Sequence, residues 1–426
     1  MQDVTGKTIL VLGAADKWDQ TTEVDIVRWA HEMGLRVIVT DSQENWDLVP
    51  AKRVADEAWN VSWSDTDELE RRCRESHVDG VYAGFSEHKV TAASNLAARL
   101  GMPFYTDGAD TDTIFNKRRF KEACIAAGLD VPRSFDADDN VIFPVVVKPV
   151  DNAGGRGMSV CRNEEELRDG ISYALGYSKS NEVDIEEYVD GTEVFVYYIV
   201  RDGESAFSMA SQVGTIRPNA GDMSYFVSMR YPAGLIDRIV AYDEQFKSLI
   251  HSLGVRNCYL GLQCFVTDDR VIVHDPTFRT DGSNVHEVLQ MMTGVNDAKL
   301  TMSYSLTGAY GDESDVTLIR FQDTWPIYMQ IGVILRPGTI SVYEGLDRVA
   351  SVDGVYEVEQ TRHVGDVMRH VPGNLSKVAA QIKLQAPNAE MLEDRLTEIF
   401  DLVTVLDENG EDMMIHLDLH AIAVGA

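Results

Sequence analysis

Apolar and polar positions change rhythm along this chain. Over the first hundred residues, short apolar runs alternate with helical patterns. Thr8–Leu12 (TILVL) reads as a buried strand, and residues 37–40 and 78–83 as two more. Between them, residues 22–33 carry Val24, Val27, Ala30 and His31 on one face and stop at Gly34. Ser64 and Asp67 form a candidate capping pair for a helix running through Cys73. Residues 87–100 read as a helix stopped by Gly101 and followed by Pro103. A strand–helix alternation of this kind predicts a doubly wound parallel sheet.

The rhythm then shifts. Residues 112–130 read as one helix with Ile114, Phe115, Ala123 and Cys124 inward. From 142 to 200 short strands dominate: 144–149 and 158–161 flank a glycine-rich loop, and 194–200 is β-branched and aromatic. Residues 236–253 read as a helix, 261–266 and 270–275 as strands joined at Asp268-Asp269. Beyond about 320, strands near 328–335 and 377–384 and a helix at 388–400 make a third region.

Composition narrows the classes. Against 38 Lys and Arg stand 69 Asp and Glu, a formal net charge of −31 spread along the whole chain. Such a field repels nucleic acid and anionic membranes, so neither is an expected partner. An anionic ligand then needs a local cluster of cations and backbone N–H groups. Five cysteines with no CxxC pair argue against a disulfide framework or zinc site. With no run long enough to span a membrane and no leader-like start, a cytoplasmic setting is expected.

The most informative segment is VVVKPVDNAGGRGMSV, in which a strand delivers Lys148 and a loop with Gly154, Gly155 and Gly157 follows. Glycines let main-chain N–H groups approach an anion, and the lysine adds a point charge for phosphate oxygens. The lysine precedes the glycines, so this is not a Walker loop. Taken alone, the segment is also compatible with a flexible hairpin turn. The first strand ends in Gly13-Ala14-Ala15-Asp16 rather than GxGxxG, which weakens a nicotinamide reading. Gly84, Phe85, Ser86 and Glu87 follow a strand end; Glu87 either lines a pocket there or supports the start of a helix. Gln263 and Asp275 lie on adjacent strands with Thr277 and Arg279 just beyond, an oxygen donor set suited to Mg²⁺ and a guanidinium suited to a carboxylate or phosphate. Arg217 and Arg230 are either substrate-binding cations or surface charges.

In this order the residues resemble the ATP-grasp superfamily, most firmly over about 112–300. Lys117 and Lys148 fall where that family has two phosphate-contacting lysines, and AGGRGM falls at its phosphate loop. EEYVDGTE resembles its adenine hinge, which implies main-chain contacts near Glu187 and Val189, a polar contact at Glu186 and a ribose contact at Glu193. GLQCFVTDDRVIVHDPTFR resembles its metal segment in the glutamine form of carbamoyl-phosphate synthase large subunits, with Asp275 for the usual Glu and Thr277 for the usual Asn. GFSEH resembles a biotin-carboxylase strand end, and the whole layout is similar to bacterial L-amino-acid ligases.

The resemblance implies an α/β ATP-grasp fold: a Rossmann-like domain over 1–111, a core over 112–318 with a small lid subdomain near 133–200, and a C-terminal α+β lid region over 319–426. It implies ATP with Mg²⁺ or Mn²⁺ as cofactors and small-molecule carboxylate and amine substrates; a homodimer is compatible with it. The expected activity is ADP-forming carboxylate–amine ligation through an acyl phosphate, with Lys148 and Arg279 catalytic, Gln263, Asp275 and Thr277 on the metal, and Glu87, Arg217 and Arg230 toward substrate. Three alternatives stay open: carboxyphosphate chemistry on bicarbonate, a non-catalytic ATP sensor with a degraded metal site, and a nicotinamide-dependent enzyme.

Overall fold

Strand β1 (Thr8–Leu12) is buried at every position, as a strand covered on both faces must be. It pairs in parallel with β2 (Arg36–Thr40) and β4 (Gly80–Ala83), and β3 (Glu57–Trp59) extends the sheet beyond β2 to give the order β3-β2-β1-β4. The structure, a computed structural model, describes residues 2–13, 20–46, 49–136, 140–150, 157–216, 224–229, 235–282, 285–318, 326–369 and 377–425. Helices Gln20–Glu32, Thr66–Glu75 and Glu87–Leu100 flank the parallel sheet. The second is capped by Asp65, whose carboxylate accepts from the Glu68 N–H at 3.2 Å. The expected Ser64–Asp67 capping pair does not form. Ser64 is bonded to Ser62, and Asp67 pairs with Arg99 at 2.7 Å. Gly101, at φ 71°, ends the third helix in the left-handed region, where a side chain would be strained.

Residues 112–130 are two helices instead of one. Thr111–Ile114 is followed by an extended Asn116 (φ −105°, ψ 108°), whose side chain caps Lys117–Ala126 by accepting from the Arg119 N–H at 3.1 Å. An asparagine at a helix start offers its own oxygen to the orphan amides, so the chain restarts there. Lys117 thereby becomes the first residue of a helix. Similarly, 236–253 divides into Ile236–Val240 and Asp243–Ser252.

A small antiparallel sheet follows, from β5 (Ser134–Phe135), β6 (Val145–Pro149), β7 (Ser159–Cys161) and β8 (Val183–Glu187), in the order β5-β8-β6-β7. Val145, Val147 and Ile185 face the helix Glu164–Leu175 and form a separate apolar cluster with Leu167 and Ala174. The alternating partners Val146, Lys148, Asp184 and Glu186 therefore face the other way, toward the rest of the chain.

The largest sheet has eight strands. It uses β9 (Thr192–Arg201), β10 (Glu204–Ile216), β11 (Ser224–Met229), β12 (Cys258–Val266), β13 (Val271–Thr277) and β14 (Ile327–Ile334). Past β15 (Gly338–Glu344) come β16 (Val355–Gln360), β17 (Val367–Met368), β18 (Val378–Ala386) and β19 (Thr404–Asp407). The order β13-β12-β9-β10-β11-β14-β18-β16 carries three C-terminal strands onto the sheet that holds β12 and β13, while β15 joins β17 and β19 in a smaller one. Leu392, Leu396 and Ile399 of the helix Ala389–Leu402 pack with buried residues of β14 and β18. Behind the other end, Val194, Val196, Tyr198, Leu260, Leu262 and Cys264 share one core with Phe120, Cys124, Phe246 and Leu249. That packing pushes the alternate residues of β9, β12 and β13 into the space facing the small sheet. All five cysteines are buried and unpaired. No described helix is long and apolar enough to cross a membrane.

Candidate nucleotide and carboxylate site

On β12 and β13, Gln263 stands directly opposite Asp275, and Gly261 opposite Thr277. The Gln263 amide approaches the Thr277 hydroxyl at 3.4 Å. The register places these oxygen-bearing side chains side by side without any loop having to fold back.

Asp275 is the electrostatic centre. Withdrawal from water raises its carboxyl above the ordinary range, and Lys117, Lys148 and Arg279 pull it back, while Glu186 pushes it up. The two lysines, from different elements, therefore act on one carboxylate in one cleft. Glu87, at the rim after β4, is also raised, first by partial loss of water and then by the charge of Asp275, against Arg279, Lys117 and His88. Glu87, Lys117, Asp275 and Arg279 thus share one neighbourhood.

Lys148 is held from behind. Its Nζ lies 2.5 Å from Glu186 Oε2, and the other Glu186 oxygen is paired with Lys121. Lys121 also reaches Asp184 at 3.1 Å and donates to the Ser134 hydroxyl at 2.9 Å. Burial alone would lower the Lys148 ammonium, but Glu186 and Asp184 hold it above its ordinary value. Burial alone would raise Glu186, but Lys148 and Lys121 bring it down to about 2. Both groups are charged, and Lys121 with Asp184 helps to hold the pair in place.

The segment after β13 is pinned from four sides. Tyr105 donates to the Phe278 carbonyl at 3.3 Å, and the Tyr82 and Thr280 hydroxyls lie 2.6 Å apart. Tyr197 donates to Asp281 at 3.0 Å, and His286 lies 2.9 Å from the Asp281 carbonyl. Arg279 sits within this brace, its guanidinium donating to the Thr280 carbonyl at 3.0 Å. Behind it, the buried His286–Asp297 pair, 2.7 Å apart, outweighs burial and raises the imidazole to about 9.

Gly157 (φ 80°) packs against Pro149 and Tyr177; a Cβ would come within 2.8 Å of each. Gly154 and Gly155 lie outside the described residues, as do Arg217 and Arg230. Along 187–191, the Glu187 N–H donates to the Arg133 carbonyl at 2.9 Å and the Tyr188 N–H to the Pro144 carbonyl at 3.1 Å. Val189 lies in this connection, and Glu193 follows on β9 opposite Phe265.

Residues 117–218 match the family model described as carbamoyl-phosphate synthase L chain, ATP binding domain. The structure superposes on an L-amino acid ligase from Bacillus licheniformis with a TM-score of 0.77 at 18% identity, covering 95% of this chain and 100% of that one. The chain therefore shares the fold of that ligase, and residues 117–218 resemble the ATP-binding domain of the synthase. Among curated relatives, the chain is 25% identical over 256 residues to a formate-dependent phosphoribosylglycinamide formyltransferase from Trichormus variabilis, covering 57% of this chain and 63% of that one. It is 23% identical over 420 residues to the carbamoyl phosphate synthase large chain of Sulfurisphaera tokodaii, covering 89% of this chain and 38% of that one. The chain thus spans less than two thirds of these relatives' length.

Three residues of this cleft, Lys121, Asp184 and His274, had no place in the sequence pattern. Lys121 lies one helical turn after Lys117, and Asp184 and Glu186 alternate on one strand face, so both signals were present without a reason to join them. His274 left no such signal. It stacks on Phe265 with ring centroids 4.6 Å apart, and burial together with Lys148 brings its ring down to about 3, so it is neutral.

Proposed function

We propose that this protein is an ADP-forming ligase that activates a carboxylate with ATP and joins it to an amine. The observation that supports this best is the convergence of Lys117, Lys148 and Arg279 on Asp275, which stands opposite Gln263. Three cations around one buried carboxylate make a receptor for polyphosphate in a chain of net charge −31. The likeness of the whole fold to an L-amino acid ligase agrees with it.

Lys148, braced by Glu186 and Lys121, and Lys117 at its helix start would hold the phosphate oxygens, together with amides of the loop at Gly154, Gly155 and Gly157. The base would lie along 187–191. The Glu187 amide is already engaged, so its contact with a base would go through its carbonyl oxygen. A hard cation fits the donor set: a raised, buried Asp275 carboxyl beside amide and hydroxyl oxygens of Gln263 and Thr277. Bound there, Mg²⁺ or Mn²⁺ would neutralise phosphate charge.

In the first step a substrate carboxylate oxygen attacks the γ-phosphorus. A carboxyl O–P bond forms, the bond to the ADP oxygen breaks, and ADP leaves. An amine then attacks the acyl carbon, phosphate departs, and the amine gives up a proton. Arg279 would hold the transferring group or the carboxylate, and Glu87 at the rim would face the amine. No enzyme nucleophile is required; positioning and fixed charge provide the catalysis. We read the N-terminal parallel sheet as a Rossmann-like domain, the small sheet as a lid that excludes water, and the C-terminal region as a second cover.

The test is phosphate release from Mg-ATP across pairs of amino acids and small carboxylates. Release that requires one specific pair supports the ligase. Release stimulated by bicarbonate alone favours carboxyphosphate chemistry, which the likeness to carbamoyl phosphate synthase makes the second reading. Nucleotide binding without release under any mixture would favour a sensor.

A further inference from the structure

Pairing between β12 and β13 slips by one residue beside the Gln263–Asp275 pair. Gln263 faces Asp275, but Cys264 faces Val273, which leaves His274 as the extra residue of a bulge. Strict alternation from Asp275 would turn His274 toward the apolar core and Val273 toward the cleft. The bulge reverses both: Val273 enters the core with Cys264, and His274 stacks on Phe265, whose strand neighbour Gln263 faces the cleft. Bulges re-aim side chains in this manner.

The ring is placed but not satisfied. His274 Nε2 is buried without a hydrogen-bond partner among the described residues. The nearest acid oxygen, Glu193 Oε1, is 3.7 Å away, too far for a hydrogen bond yet close enough for one hydroxyl to touch both. A buried polar atom left unpaired in a cleft is a stored preference for a ligand that pairs it. Position names the ligand group. Phe265 lies about 7 Å along its strand from Gln263 and opposite Glu193, so the His274 ring stacked on it sits on the side of Glu193 and the 187–191 connection. A nucleotide with its phosphates at one end and its base at the other lays its sugar over this row.

We propose that His274 reads the ribose: its Nε2–H donates to one sugar hydroxyl, and that hydroxyl donates to the Glu193 carboxylate. The inference rests on the nucleotide-binding reading above and adds a specificity residue to it. Equilibrium binding of Mg-ATP, Mg-2′-deoxyATP and Mg-3′-deoxyATP, without carboxylate or amine, tests it on the full chain. The wild type should prefer ATP over one of the two deoxynucleotides by about tenfold. His274→Phe preserves the stack on Phe265 but has no N–H, and should reduce that preference to within about twofold, mostly by weakening ATP. His274→Leu serves the same purpose should the phenylalanine variant misfold, and His274→Gln should recover part of the preference. A wild type indifferent to both hydroxyls, or a preference that survives His274→Phe and His274→Leu, overturns the assignment. A folded wild type that binds none of the three nucleotides would instead remove the nucleotide reading and this inference with it.

Discussion

Two buried charge networks in this molecule look alike on paper and differ in what they leave open. One lines the cleft: Lys148, Lys121, Glu186, Asp184 and Asp275. The other joins the helix Gln20–Glu32, the helix Val285–Thr293 and strands β16 and β18. There Lys383 lies 2.9 Å from Glu287 and 2.7 Å from Glu357, with Asp25 and Arg28 alongside. Asp25, Glu287 and Glu357 bring their oxygens within 4.8 Å of one another, the geometry of a cation site, but the Lys383 ammonium already supplies the cation. The joint satisfies itself. The cleft does not: Asp275 is drawn on by three cations that it does not neutralise, and His274 has a nitrogen without a hydrogen-bond partner among the described residues. A saturated network holds elements together, whereas an unsaturated one awaits a ligand.

The sharpest way to break the contrast is Lys383→Met. It leaves three carboxylates facing one another and should cost about 3–5 kcal/mol of stability in denaturant unfolding, with nucleotide affinity of the folded fraction unchanged. Loss of Mg-ATP binding in that variant would make the joint part of the site. Lys148→Ala should do the opposite: a folded protein by circular dichroism whose thermal midpoint no longer rises with Mg-ATP, an affinity loss of about 100-fold, roughly 2.7 kcal/mol.

Acidity separates the two networks at smaller amplitude. Burial, helped by Glu287 and Glu357 and opposed by Lys383 and Arg28, raises Asp25 to about 7. Between about pH 4 and 7 the folded state therefore keeps a proton that the unfolded chain has released. The contribution of Asp25 to stability must fall as pH rises through that window. Asp25→Asn should flatten the decline and gain about 1–2 kcal/mol on the wild type at pH 8, read from urea midpoints. A wild-type midpoint that climbs from pH 5 to 7 in parallel with the variant's would contradict it. The smallest effect belongs to Asp275→Glu: a longer carboxylate opposite Gln263 should tighten the Mg²⁺ dependence of nucleotide binding by about threefold, within the span of one modest interaction.

Much of the fold was legible because local rules agreed. The strands at 8–12, 261–266 and 328–335 declared themselves by apolar runs, and Gly101 and Gly34 marked helix ends by the backbone angles they permit. Helix continuity was misjudged at Asn116 and Tyr242, where a short break sits inside an unbroken apolar pattern. The joining of β14, β16 and β18 to β11 and its neighbours had no local mark, because strand order depends on which edges meet after the chain collapses.

The same division runs through the site. Residue type and order along the chain determined the two lysines proposed to meet phosphate, the glycine-rich segment and the Gln263–Asp275–Thr277–Arg279 series, since each is a property of one segment and its period. Tertiary structure alone decided that Glu186 is gripped by two lysines, that four groups brace the turn holding Arg279, and that His274 faces the cleft. The reason is physical: a bulge shifts one strand against its partner by a single residue, and a buried charge depends on what packs against it from distant segments. Neither quantity exists until the segments have met.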